Sequence, residues 1–246
     1  MRIRAVIFDV YKTLLEVGPP PAAADEDWVR LCAAQLGGAA RLSLAEFGAR
    51  CALIIGRTNA ASRLTGIPYP EIFWLAVAIE ALPGLASLSS AELDDFLYAH
   101  AQMVRTLHLM PDAAATLRFL HRGGFPLGIA SNAQPYTLRE LNAALGTAEL
   151  SRDLFTPALC CWSFDLGFSK PDPHVFRVLD SRLRAAGVAS GEILMVGDRL
   201  DNDIAPARAQ GWQTWHFASV SSGAMSGNWT QLQSWLRSVG VPPAGR

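Results

Sequence analysis

Four stretches of the chain are apolar throughout and then break at polar residues or glycine: AVIF at 5–8, PLGIA at 126–130, ALCCW at 158–162 and ILMV at 193–196. A half-exposed strand would alternate, so uninterrupted runs predict strands buried on both faces, as in a parallel sheet. A fifth segment, QTWHF at 213–217, alternates less cleanly. Helical patterns lie between them. PDAAATLRFLHRGG opens on Pro111 and closes on Gly123 and Gly124, a proline for the first turn and glycines for the end. Val175, Phe176, Leu179 and Leu183 fall on one face of the next helical segment. DNDIAPARAQG starts acidic and stops at Gly211, which predicts a short helix with its acids at the positive end. Strand and helix in alternation predict an α/β fold, a doubly wound parallel sheet.

More than a hundred residues separate the first strand from the second, far more than one crossover helix needs. The interval holds DEDWVRLCAAQL, SLAEFGARCALIIGRTNAASRL, PEIFWLAVAIEAL and SAELDDFLYAHAQMVRTL, all helical in period or composition. SLAE and SSAE each put a serine three residues ahead of a glutamate, the pattern of a capping box. The chain therefore divides into a core at 1–17 and 106–246 and an inserted helical cap at 18–105, with VGPPPAAAD as the linker. The final VPPAGR reads as a loose tail.

Half of the 246 residues are hydrophobic and 17% are charged, enough for a buried core and against disorder. A formal charge of −1 provides no general attraction for nucleic acid or an anionic membrane. A small anionic substrate would have to be held by a few local groups. Cys32, Cys51, Cys160 and Cys161 show no CxxC spacing and read as buried free thiols, which suits a reducing compartment. No run approaches the ~20 apolar residues of a membrane span, and the N-terminal apolar run is too short for a signal peptide. A cytoplasmic location is the expectation; oligomeric state is unreadable.

Ligands of an open parallel sheet bind beyond the carboxyl ends of its strands. There the predicted strands deliver Asp9, then Ser131 and Asn132, then Asp198 after Gly197, with Lys170 on a loop after the third strand. Two carboxylates at one point repel unless a cation lies between them, and Mg²⁺ favours few carboxylates, water and phosphate. Lys170 and Mg²⁺ would neutralise a phosphoryl group, Ser131 would hold its oxygens, and Asp9 could attack phosphorus in line.

DVYKT at 9–13, SN at 131–132, Lys170 with PDP after it, and GDRLDND at 197–203 resemble, in order, the four motifs of the haloacid dehalogenase (HAD) superfamily. The resemblance spans about residues 3–217. It implies a Rossmann-like core with a helical cap and makes Asp9 the nucleophile and a metal ligand. Tyr11 would lend the metal its backbone carbonyl and Asp198 its carboxylate. Asp203 would hold Lys170 or the metal's waters, Thr13 and Ser131 would bind the transferred group, and Asn132 would steady the loop.

The departure lies at Tyr11, where the superfamily's phosphatases carry a second aspartate as general acid and base. Its 2-haloacid dehalogenases carry a tyrosine there, followed by a glycine where this chain has Lys12. Those enzymes use no metal and lack the aspartate of the fourth motif, which this chain keeps as Asp198. An uncompensated Asp198 would repel a haloacid's carboxylate and blunt Asp9. A missing acid costs about 10²–10⁴-fold, less with a good leaving group. The expectation is thus a Mg²⁺-dependent phosphatase. The alternatives are a metal-independent 2-haloacid dehalogenase and a non-catalytic ligand-binding protein on the same scaffold. Lys12 either reaches a substrate phosphate or points to water.

Overall fold

The computed structural model describes residues 2–38, 42–218, 223 and 225–239; the VPPAGR tail lies outside them. It forms two compact units, one made of residues 1–16, 108–133 and 141–246, the other of residues 17–107 and 134–140. The chain passes between them through β2 (Leu15–Gly18) and β3 (Thr106–Leu109), which pair as a two-stranded sheet.

The first unit is built on six strands, β1 (Ala5–Phe8), β4 (Leu127–Ser131), β5 (Cys160–Trp162), β6 (Ile193–Gly197), β7 (Gln213–Phe217) and β8 (Ser226–Gly227). They pair in parallel in the order β5-β4-β1-β6-β7-β8. The apolar runs have their explanation in burial: every residue of β1, β4 and β6 is buried. Ala5 and Ile7 point to one face, where they pack with Val175, Phe176, Leu179 and Leu183 of α8 (Pro173–Ala185). Phe8 points to the other and meets Trp229 of α10 (Trp229–Ser238), ring centroids 5.6 Å apart. The sheet is covered on both sides, as a doubly wound fold requires. Its other helices are α5 (Ala113–Arg122), the one-turn α7 (Ser163–Leu166) and the short α9 (Ala205–Ala209), with α6 (Thr137–Gly146) continuing from the second unit.

Several predicted elements shift. ALCCW is a strand only over its last three residues, because Pro157 starts a 3-10 turn over 157–159. In DNDIAPARAQG the acidic half winds as a π-turn over Leu200–Ile204 and only 205–209 is α-helical.

The second unit is helical: α1 (Ala24–Leu36), α2 (Leu44–Leu64), α3 (Trp74–Ala81) and α4 (Ser90–Val104). Ser43 with Glu46 and Ser89 with Glu92 form the two capping boxes that SLAE and SSAE predict. Trp28, Phe47, Phe96 and Leu85 fill the core of this unit. Arg57 is taken by Glu80, at 2.7 and 2.8 Å. Among the described residues no helix is long and apolar enough to cross a membrane.

Candidate active site

Asp9 follows β1 directly, and its N–H donates to Val196 O of β6, 2.9 Å away. The chain then turns tightly: the N–H groups of Leu14 and Leu15 both donate to Val10 O at 2.8 Å, and that of Lys12 to Leu15 O. This turn buries Thr13 completely. Its carbonyl accepts from the Trp229 indole at 3.0 Å, fixing the first motif from the far end of the chain. Nothing in the sequence signals this contact, which joins residues 216 apart.

β4 ends in the buried Ser131. Asn132 makes a reciprocal pair with the backbone of Lys170, its Nδ2 donating to the Lys170 carbonyl at 2.9 Å and its Oδ1 accepting the Lys170 N–H at 2.6 Å. The next residue, Ala133, is held through both its N–H and its carbonyl by the Ser163 hydroxyl, another contact the sequence did not reveal.

Lys170 Nζ donates to Asp9 Oδ1 at 2.7 Å and to Asp203 Oδ1 at 2.5 Å, with all three residues buried. The Arg199 N–H, 3.0 Å away, holds the other Asp203 oxygen. Asp203 lies so close under Gly197 that a Cβ there would come within 2.5 Å of it. Glycine at the end of β6 is the residue that lets this acid in. Asp198, half-buried, completes the group; its carbonyl faces His216 Nε2 at 3.0 Å. One carboxylate oxygen from each of Asp9, Asp198 and Asp203 lies within 4.8 Å of the other two.

Electrostatics follow from that crowding. Burial is the main cause that lifts the Asp9 carboxyl from 3.8 to about 6; Asp203 and Asp198 add to it, and Lys170 opposes. Burial and Asp203 likewise raise Asp198, against Lys170 and Lys12. Burial alone would lower Lys170, but Asp9 and Asp203 outweigh it and the net shift is upward. Three acids face one buried ammonium, a surplus of negative charge that an oxygen-seeking divalent cation would relieve. An all-oxygen donor set fits Mg²⁺. The hydroxyls of Thr13 and Ser131 are buried without a hydrogen-bond partner. Buried polar atoms are rarely left so, and two hydroxyls in the segments that follow β1 and end β4 suit the oxygens of a bound anion.

The predicted residues thus converge: Asp9, Asp198, Asp203 and Lys170 at one point, with Asn132 holding the Lys170 loop. Tyr11 is partly exposed and bridges to Leu15 within the turn.

A doubly wound α/β core with acids at its strand ends is the class this geometry defines. The haloacid dehalogenase-like hydrolase family matches residues 3–211, and the chain belongs to that family. A phosphoserine phosphatase of Thermus thermophilus is 36% identical over 107 residues, 44% of this chain but only 39% of that protein's length. Among solved structures, a 2-haloacid dehalogenase from Pseudomonas syringae aligns with a TM-score of 0.61 at 24% identity, covering 96% of this chain and 99% of its own. A HAD phosphatase from Thermococcus onnurineus aligns at 0.56 and 21%, covering 98% and 100%. At such identities the likeness to these two structures is one of fold alone.

Proposed function

We propose that this hydrolase is a Mg²⁺-dependent phosphatase of a small phosphorylated metabolite, working through an aspartyl-phosphate on Asp9. The observation that carries this reading is the meeting of Asp9, Asp198 and Asp203 within 4.8 Å, an arrangement that wants a cation. Asp9, Asp198 and the Tyr11 carbonyl would hold Mg²⁺, which when bound supplies neutralising charge at a phosphoryl oxygen. Lys170 ties down Asp9 Oδ1 and leaves Oδ2 to attack phosphorus. A bond forms from Asp9 to phosphorus as the ester oxygen departs, and water then opens the acyl phosphate. Thr13 and Ser131 donate to the transferred oxygens. Tyr11 offers no carboxylic proton, so the reaction favours leaving groups that depart without one.

The test is phosphate release from a panel of phosphoesters and acyl phosphates, with Mg²⁺ and with chelator. Turnover should need both Mg²⁺ and Asp9, with Asp9→Asn lowering kcat by about 10³-fold or more, as loss of a nucleophile does. Release no faster than that variant's would sink the proposal. One observation favours a second reading, dehalogenation of a short 2-haloacid: Tyr11 stands where a phosphatase would have its acid. Halide release in chelator by the native chain and not by Asp9→Asn would establish that instead.

A further inference from the structure

The chain has nineteen arginines and only two lysines. Both lysines stand at this site, Lys170 between Asp9 and Asp203 and Lys12 in the turn after Asp9. Wherever a surface cation would serve, this chain uses arginine. Lysine remains where a compact ammonium differs from a planar guanidinium.

Lys12 also holds an unfavourable backbone, with φ at 61°. A side chain other than glycine, asparagine or aspartate is strained in that left-handed conformation. Asp112 and Glu149 share it, so the strain alone does not single out Lys12; its coincidence with the lysine count does. The conformation belongs to the turn that buries Thr13, and glycine would fit it at less cost. The side chain is exposed in the turn that follows Asp9, and its charge counters the upward shift of Asp198.

The neighbouring cations are committed. Lys170 is 4% exposed and bonded to two carboxylates. Arg199 is bound at 3.0 and 2.6 Å by the two oxygens of Asp201. With Mg²⁺ balancing the carboxylates and the buried ammonium already engaged, these groups leave no net positive charge for an incoming dianion. Lys12, exposed and three residues after Asp9, can supply that charge.

We propose that Lys12 is a substrate-binding cation, holding phosphoryl oxygens at the rim of the site beside Asp198. This rests on the phosphatase reading for the identity of its anion. Lys12 thereby gives the site substrate-facing positive charge that Lys170 cannot give, and it does so from a position where backbone geometry alone would select glycine.

The test is binding of inorganic phosphate in saturating Mg²⁺, by calorimetry, to the native chain and to Lys12→Asn, Lys12→Gly and Lys12→Arg. Asparagine and glycine adopt positive φ readily, so both variants should unfold at urea concentrations no lower than the native chain. Both should bind phosphate about tenfold more weakly, and Lys12→Arg, which keeps the charge, should lose less. Phosphate affinities of the asparagine and glycine variants within about twofold of native would overturn the proposal, as would a native chain that binds no phosphate. Phosphate binding that depends on Lys12 in a protein that hydrolyses no phosphoester would sink the phosphatase reading and leave this one standing.

Discussion

Lys170 in the first unit and Arg105 in the second are both cations set against buried carboxylates, but the balance around them differs. Arg105 faces Glu140, whose side chain is fully buried. One guanidinium nitrogen donates to both carboxylate oxygens at 3.0 Å, and Gln102 adds a bond at 3.0 Å. One charge answers one charge. Around Lys170 three carboxylates gather, and the Thr13 and Ser131 hydroxyls lack partners. A buried pair of opposite charges is balanced as it stands and serves the fold. A surplus of one sign beside unpaired hydroxyls is incomplete until something binds.

Removing an acid should therefore have opposite consequences in the two places. Glu140→Ala leaves Arg105 without its buried partner and should cost about 3 kcal/mol, the lower end of the range for breaking such a pair, since Arg105 is partly exposed. Urea denaturation reads this directly. Asp9→Asn should cost nothing in the same measurement, because Asp203 still holds Lys170 and one source of repulsion is gone. Equal losses in the two variants would erase the distinction.

The sheet was legible for the reason it is stable: strands covered on both faces must be apolar throughout. The predicted AVIF and QTWHF coincide with β1 and β7 residue for residue. The capping boxes were legible because Ser43 with Glu46 and Ser89 with Glu92 satisfy their own helix ends locally. What escaped depends on distant partners. β2 is half exposed and β8 is two residues long, so neither writes a periodic pattern. The C-terminal helix carries its own capping box, Asn228 with Gln231, a signal that could have found it. The candidate site followed the same division. Residues at strand ends were readable from the strands, whereas Trp229 on the Thr13 carbonyl and Ser163 on Ala133 join segments that nothing in the sequence links. The left-handed turn at Lys12 was equally invisible, since lysine is not a residue that announces it.

A second contrast concerns pH. His100 lies buried among the rings of Trp28, Phe47 and Trp74. Burial, aided by the Arg105 charge, lowers it from 6.5 to about 4. The imidazole is neutral in the folded second unit, while the unfolded chain takes up a proton below 6.5. Its contribution is fully present above pH 6.5 and is lost as pH falls toward 4, by up to about 3 kcal/mol. Urea midpoints measured from pH 7 to pH 4.5 should fall for the native chain and fall less for His100→Phe. Parallel profiles would show that another group governs the acid limb.

The smallest effect tests the surplus itself. Asp198 is raised by burial and by Asp203, so in the folded, metal-free protein its charged form is penalised. Asp198→Asn removes that penalty. In chelator at pH 7 the variant should be slightly more stable than the native chain, by under about 1 kcal/mol, because a half-buried carboxylate is partly screened by water. In saturating Mg²⁺ the order should reverse: a cation that binds only the folded native chain stabilises it by about 2.7 kcal/mol at a hundredfold excess over Kd. A variant that loses stability in chelator as well would mean that Asp198 holds the fold together, as Glu140 does. A crossing of the two curves as Mg²⁺ is added would mean that its charge is kept, at some cost, for a cation.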